Sequence, residues 1–443
     1  YNQCAFSTEN ILKVKGGDEI AKYNLTAGYL RNNGVVKNTD LSKYYTRLNA
    51  DLNVSAKVKM SASFGFSYVQ SHLQEQGMVP QTNPLLAALY KAPVLGVWEK
   101  DMYGNRVSRF DTVRQFGISN PRAVVEQVEA TMKTYDILGN IALNYQPNTK
   151  FNFDAMLGIY YNYNSENLFV PGKSQPSIAP LMDGYAHNTV RGGVGLGYNI
   201  YAKAQGSYKH TFKERHNVTA SLGYQLITSR REYDHAEVVN TTSDFYKTLD
   251  RSESDYGKKI DGYEDIWNWM NAYARLYYNY NHLFYLSATL AADAASSTGK
   301  NAVRLQWLPG VNLGINLKNT VFLQDVNGID EFLVRGAWAV LGNSRYSSVY
   351  SQNYYVNQPF HDIVGMVKEN IPNSRLKPEK VESYNAGIDF SLLGRRLALS
   401  LNYYRENTRD MLLGKEMPSA YGYGRMFTNA GKLKTDAVEA SLH

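Results

Sequence analysis

The residues that could do chemistry are few, and their spacing argues against most of it. "GGVGLG" (192–197) sets Gly193, Gly195 and Gly197 at alternate positions. A dinucleotide site needs such glycines in a turn between a strand and a helix, whose N-terminus then holds phosphate. Here they run straight on into the strand pattern "YNIYAKAQGSYKHTF" (198–212), which makes them the small-residue face of a strand. "STGK" (297–300) lacks the upstream glycine of a phosphate loop, and Asn301 stands where Ser or Thr belongs. The eight histidines (72, 187, 210, 216, 235, 282, 361 and 443) show neither HxH nor HExxH spacing, so no metal or other cofactor is expected. His210 and His216 flank the 212–216 link, a solvated rim on the simplest reading. No Gly-x-Ser-x-Gly elbow or other nucleophile signature occurs; the chain reads as a non-enzyme with no catalytic residues.

Two aromatic stretches keep a binding role open. In "DGYEDIWNWMN" (261–271), at the close of a long link, Tyr263, Trp267 and Trp269 could stack on sugars or pack on a partner. Asp261, Glu264 and Asp265 could ligate calcium. The plainer reading places Trp267 and Trp269 in an aromatic girdle facing lipid. "YGYGR" (421–425) offers Tyr421 and Tyr423 at a flexible loop tip, again as ligand or partner contacts.

The elements that would hold these residues are strands. In "KFNFDAMLGIYYNYN" (150–164), Phe151, Phe153, Ala155, Leu157 and Ile159 alternate with Asn152, Asp154, Met156 and Gly158. Successive strand side chains point to opposite faces, so one face is apolar and the other mostly polar. The pattern recurs along the chain, for example at 41–54, 57–70, 134–146, 216–229, 269–281 and 383–393. It predicts about fifteen strands and no helix. Short links (53–57, 146–150, 212–216, 279–283, 392–396) alternate with long ones (71–133, 164–192, 230–268, 294–304, 343–382, 408–434). The intermediate 318–331 falls on the short side by parity. In an up-and-down antiparallel sheet this puts every tight turn at one rim and every long loop at the other. The expected fold is an all-β, transmembrane, up-and-down antiparallel β-barrel.

Composition is consistent with this. Tyr outnumbers Phe 36 to 16, and tyrosine suits a membrane–water boundary. No run of about eighteen apolar residues exists, so a transmembrane helix is excluded. The net charge of +7 is dispersed, which argues against nucleic acid as a partner. The lone Cys4 cannot make an internal disulfide.

Several segments together resemble one family. They are "KVKGGDEIAKYNLTAGYLRNNG" (13–34), "ARLYYNYNHLFYLSATLAAD" (274–293), "FLVRGAWAVLGNS" (332–344), "NSRLKPEKVESYNAGIDFSLLGRRLALSLNYYRENTRDML" (373–412) and "TNAGKLKTDAVEASL" (428–442). All resemble the barrel of SusC/RagA-type TonB-dependent outer-membrane transporters of Bacteroidetes. Asn429, Gly431 and Glu439 match the family pattern, while Ala437 replaces its usual glycine. The resemblance implies that residues 1–443 are one partial barrel, about fifteen strands of a probable 22. The plug and its TonB box would then lie in sequence outside this segment. It further implies import of a bulky nutrient, an oligosaccharide or peptide, energised by the TonB complex. A SusD-like surface lipoprotein would cap the loops, and outer-membrane lipid and lipopolysaccharide would surround the wall. The rival expectation is a non-transporting barrel that serves as a scaffold in an outer-membrane assembly.

Overall fold

A computed structural model describes residues 2–250, 257–360, 363–423 and 425–443. The first half carries β1 (Ser7–Gly17), β2 (Ala21–Asn33), β3 (Asp40–Ser55), β4 (Val58–His72), β5 (Trp98–Lys100), β6 (Arg106–Phe110), β7 (Glu129–Tyr145), β8 (Phe151–Val170) and β9 (Thr189–Phe212). The second half carries β10 (His216–Val239), β11 (Lys258–Tyr280), β12 (Phe284–Ala295), β13 (Gln306–Asn316), β14 (Ile329–Asn343), β15 (Tyr355–Phe360), β16 (Ile363–Lys368), β17 (Glu379–Leu392), β18 (Leu397–Glu416) and β19 (Arg425–Leu442). Fifteen of these form a single sheet in chain order, and β5–β6 and β15–β16 are small hairpins inside loops. Every pairing in the large sheet is antiparallel between chain neighbours, and its edges are β1 and β19.

The fifteen expected strands are all present, with turns and loops segregated to opposite rims. Several strands run past the predicted ends into the loops: β11 begins at Lys258, and β18 and β19 take in most of 408–434. The expectation of no helix is corrected. α1 (Pro84–Tyr90) and α2 (Pro121–Gln127) each occupy two turns inside the 73–128 loop. Asn83 and Asn120 cap them by accepting backbone N–H bonds, and a proline follows each cap, where its missing N–H costs nothing.

Register carries the two faces across the sheet. Ile159 lies opposite Gly139 and Ile200, and Leu222 opposite Gly206 and Ala274. These apolar side chains have no protein cover; Leu157 is 57% and Leu222 69% exposed. Two aromatic belts bound the apolar band. Near the loop rim Tyr29, Tyr44, Tyr68, Tyr135 and Tyr163 touch in sequence, with ring centroids 4.8, 6.4, 4.8 and 6.0 Å apart. Near the turn rim Tyr145 meets Phe153 at 6.1 Å, Phe151 meets Tyr208 at 5.1 Å, and His216 meets Tyr280 at 4.9 Å. His210, whose ring lies 4.2 Å from that of Phe212, and His216 therefore belong to this belt rather than to a bare solvated rim. From Tyr135 to Tyr145 the strand rises about 34 Å, or roughly 26 Å along the membrane normal at a tilt of ~40°. That matches the ~25 Å apolar band of a membrane barrel.

The opposite face is a polar lattice. Asp136 accepts hydrogen bonds from Tyr160, Asn162 and Ser67 on the flanking strands. Arg335 pairs with Asp389 at 2.8 Å, and Ser400 also donates to that carboxylate. Gly193, Gly195 and Gly223 lie on this face. A Cβ at Gly223 would sit 2.3 Å from the Tyr273 ring, so glycine lets that ring lie across its neighbour. No helix follows "GGVGLG", and its glycines do the same for Tyr233 and Asn164.

The buried apolar core lies away from the wall. Ala123, Val124 and Val128 pack with Val170 and Ile178, joining the 73–128 and 171–188 loops.

Candidate contact site at the loop rim

The loops at the long-loop rim gather in two clusters. In the first, Ser119 donates to the Gln81 carbonyl and accepts from Ala179 N–H, while Asn120 donates to the carbonyls of Val97 and Asp111. Asp244 links 240–250 to 171–188: it accepts from the N–H groups of Gly172 and Ser174, from Ser174 Oγ and from Asn188 Nδ2. Burial alone would raise the Asp244 carboxyl. The bonds from Ser174, Asn188 and Gly172 together outweigh it and hold the group below its usual range.

The second cluster contains the residues singled out in the sequence. The β10–β11 register puts Tyr263, Trp267 and Trp269 on the polar face, opposite Tyr233, Ser229 and Ile227. The lipid-girdle reading of the two tryptophans is thereby corrected, because odd-numbered residues of β11 face away from lipid. Trp267 Nε1 donates to the Ser344 carbonyl at 3.1 Å, with the Arg345 guanidinium 5.4 Å from its ring. Trp269 Nε1 donates to Asp293, as does Asn271. Trp267 thus anchors the base of the 344–378 loop, Trp269 ties β11 to β12, and Tyr263 remains 47% exposed. Asp261 and Asp265 share their face while Glu264 points to the other and pairs with Arg230, so the three acids do not converge on a cation. No metal-holding group of His, Cys, Asp and Glu occurs among the described residues.

Tyr421 and Tyr423 line a cavity of about 780 Å³. Gly424 of the same motif lies outside the described residues. Tyr350, Tyr354 and Phe427 supply further aromatic wall, and Tyr350 stacks on Phe427 at 3.7 Å. One loop thus joins both sets of candidates: 344–378 rests on Trp267 at its start and walls the cavity of Tyr421 and Tyr423 further on. The sequence reading missed Tyr350, Tyr354 and Phe427, because they are far apart in the chain and only loop folding unites them. At the base of the same loop the half-buried Tyr346 lies against the hydroxyls of Ser297 and Thr298, and burial pushes its phenol up to about 12.

Comparison with known proteins agrees with this architecture. The family model described as TonB dependent receptor-like, beta-barrel matches residues 100–443. TonB-dependent receptor P39 of Formosa agariphila is 23% identical over 97% of this chain and 40% of its own length. TonB-dependent receptor SusC of Bacteroides thetaiotaomicron is 21% identical over 99% of this chain and 45% of its own. Among solved structures, the RagAB peptide transporter superposes with a TM-score of 0.81 at 17% identity, covering 98% of this chain and 48% of that one. The siderophore receptor PirA of Acinetobacter baumannii gives a TM-score of 0.58 at 12% identity, over 98% and 57% respectively. The chain thus spans less than half the length of either relative.

Proposed function

The chain belongs to the TonB-dependent receptor-like β-barrel family of the outer membrane, and from that premise we propose that it forms the wall and outer lip of an import channel. In this reading the turn rim lies in the periplasm and the loop rim outside the cell. The cargo is a bulky nutrient, an oligosaccharide or peptide, and the TonB complex supplies energy through a plug held by the whole protein. A SusD-like lipoprotein closes over the loops, and the five aromatic candidates form part of its or the cargo's contact surface. The family is one of receptors and transporters, so the assigned role is transport rather than catalysis.

The observation that supports this most is the two-faced wall, with an uncovered apolar band between aromatic belts and a hydrogen-bonded polar reverse. Such a wall separates lipid from a wet or plugged interior. The aromatic cavity adds a contact surface that suits sugar rings or peptide side chains equally.

The test is uptake of labelled oligosaccharide and peptide pools by cells that carry the full-length gene. Import should vanish when TonB is removed. Tyr421→Ala with Tyr423→Ala should lower apparent affinity about tenfold, the size of a lost aromatic anchor. The scaffold alternative makes the opposite prediction: partner binding and cellular function survive deletion of the TonB box.

A further inference from the structure

We propose that the loop rim holds a binding pocket for an anionic group, a carboxylate or a sulfate, on the incoming nutrient. The inference rests on the import reading and narrows its substrate class.

The pocket is a separate cavity of about 400 Å³ just beyond the end of β12. Lys300 and Arg304 line it with Ser296, Thr298 and Asn353, and no acidic residue lines it. Among the described residues neither cation makes a salt bridge or a side-chain hydrogen bond. The rest of the wall is neutral, with Ser351, Gln352, Pro372 and Ser374 completing it. Thr298 is 3% exposed and its hydroxyl lies against that of Tyr346, so it holds the wall rather than the ligand.

The segment is "STGK", yet it does not act as a phosphate loop. The amides of Thr298, Gly299 and Asn301 are already donated to Ala295, Leu376 and Ser374. Gly299 is required for that docking, since a Cβ there would sit 2.3 Å from the Ser374 carbonyl oxygen. Recognition therefore falls to side chains: two cations together with hydroxyl and amide groups of the lining. That set suits an oxyanion carried on a hydroxyl-rich molecule.

The test uses the full-length protein in nanodiscs free of lipopolysaccharide. It is titrated with digalacturonate, with its neutral counterpart digalactose, and with inorganic phosphate as a competitor. Digalacturonate should bind at least tenfold more tightly than digalactose, a difference of about 1.4 kcal/mol. Phosphate should compete with it. Lys300→Gln with Arg304→Gln should abolish the preference at unchanged Tm. Equal affinity for the charged and neutral sugars, or a preference that survives in the double variant, would overturn the pocket. A repeat in nanodiscs with lipopolysaccharide separates the source of the anion. Digalacturonate excluded by lipopolysaccharide in the wild type would assign the pocket to lipid phosphate and overturn the nutrient assignment. Binding is read here without transport, so a failure of TonB-dependent uptake would count against import while leaving this result standing.

Discussion

Ile159 and Ile178 are the same residue type in two environments. Ile159, in the middle of β8, is 47% exposed, with apolar neighbours beside it but nothing above it. Ile178, in the 171–188 loop, is 1% exposed and packs with Val124 and Val170. The wall leaves its apolar side chains to be covered by hydrocarbon, and its cross-strand hydrogen bonds supply the structure. The loop cluster lives in water and must bury its own apolar groups, as any soluble domain does. Exposure of an apolar residue thus carries opposite meanings in the two regions.

Substitutions can break this contrast. Ile178→Ala should cost the loop cluster about 2–5 kcal/mol through lost burial and a residual cavity. Hydrogen exchange should show it as loosening of 73–128 and 171–188, with the wall unchanged. Ile159→Arg should cost the wall about 2–4 kcal/mol, as a charge at mid-bilayer does. Gly158→Arg, one residue away on the polar face, should cost far less in the same unfolding assay. Equal damage from both would mean that each face packs against protein.

Smaller effects sharpen the comparison. Asn120→Ala removes the α2 cap and orphans the carbonyls of Val97 and Asp111, so about 1–2 kcal/mol of loop stability should go. Limited proteolysis of the loops would report it. The mildest effect is acid sensitivity at Asp244. Its folded carboxyl sits below 3.8, so the unfolded chain binds the proton more readily. The stability it contributes is present above that value and is lost as pH falls through the folded value. Protease resistance of the loop cluster should stay level from about pH 7 to about pH 5 and drop only below about pH 4. Asp244→Asn should flatten that drop.

The wall was legible in the sequence because lipid on one side and polar groups on the other impose a period of two. "FNFDAMLGI" shows it, and so does "VTASLGYQL". The period fades where both faces meet water, which is why the loop-side ends of β10 and β11 read as loop. In "SRREYDHAEVV" (229–239) charges fall on both faces. Trp267 and Trp269 were misplaced for the same reason. Their segment shows no alternation of its own, and only continuous register from Leu276 and Ala274 fixes their side. The helices had a readable signal in "NPLLAALY" and "NPRAVVEQ", an Asn cap followed by Pro, but seven residues are too few for helical periodicity. The cavity of Tyr421 and Tyr423 depends on contacts between loops distant in the chain, which no local pattern encodes.

The central claim concerns which side of each strand meets hydrocarbon. Spin labels placed singly at positions 153 to 163 of β8, in full-length protein with Cys4 replaced by serine and reconstituted in lipid, would report it directly. Collision with oxygen, which concentrates in lipid, should peak at the odd positions, and collision with a water-soluble nickel complex should be confined to even positions that border water. Oxygen accessibility that is low at both odd and even positions would place protein on both faces and contradict the account.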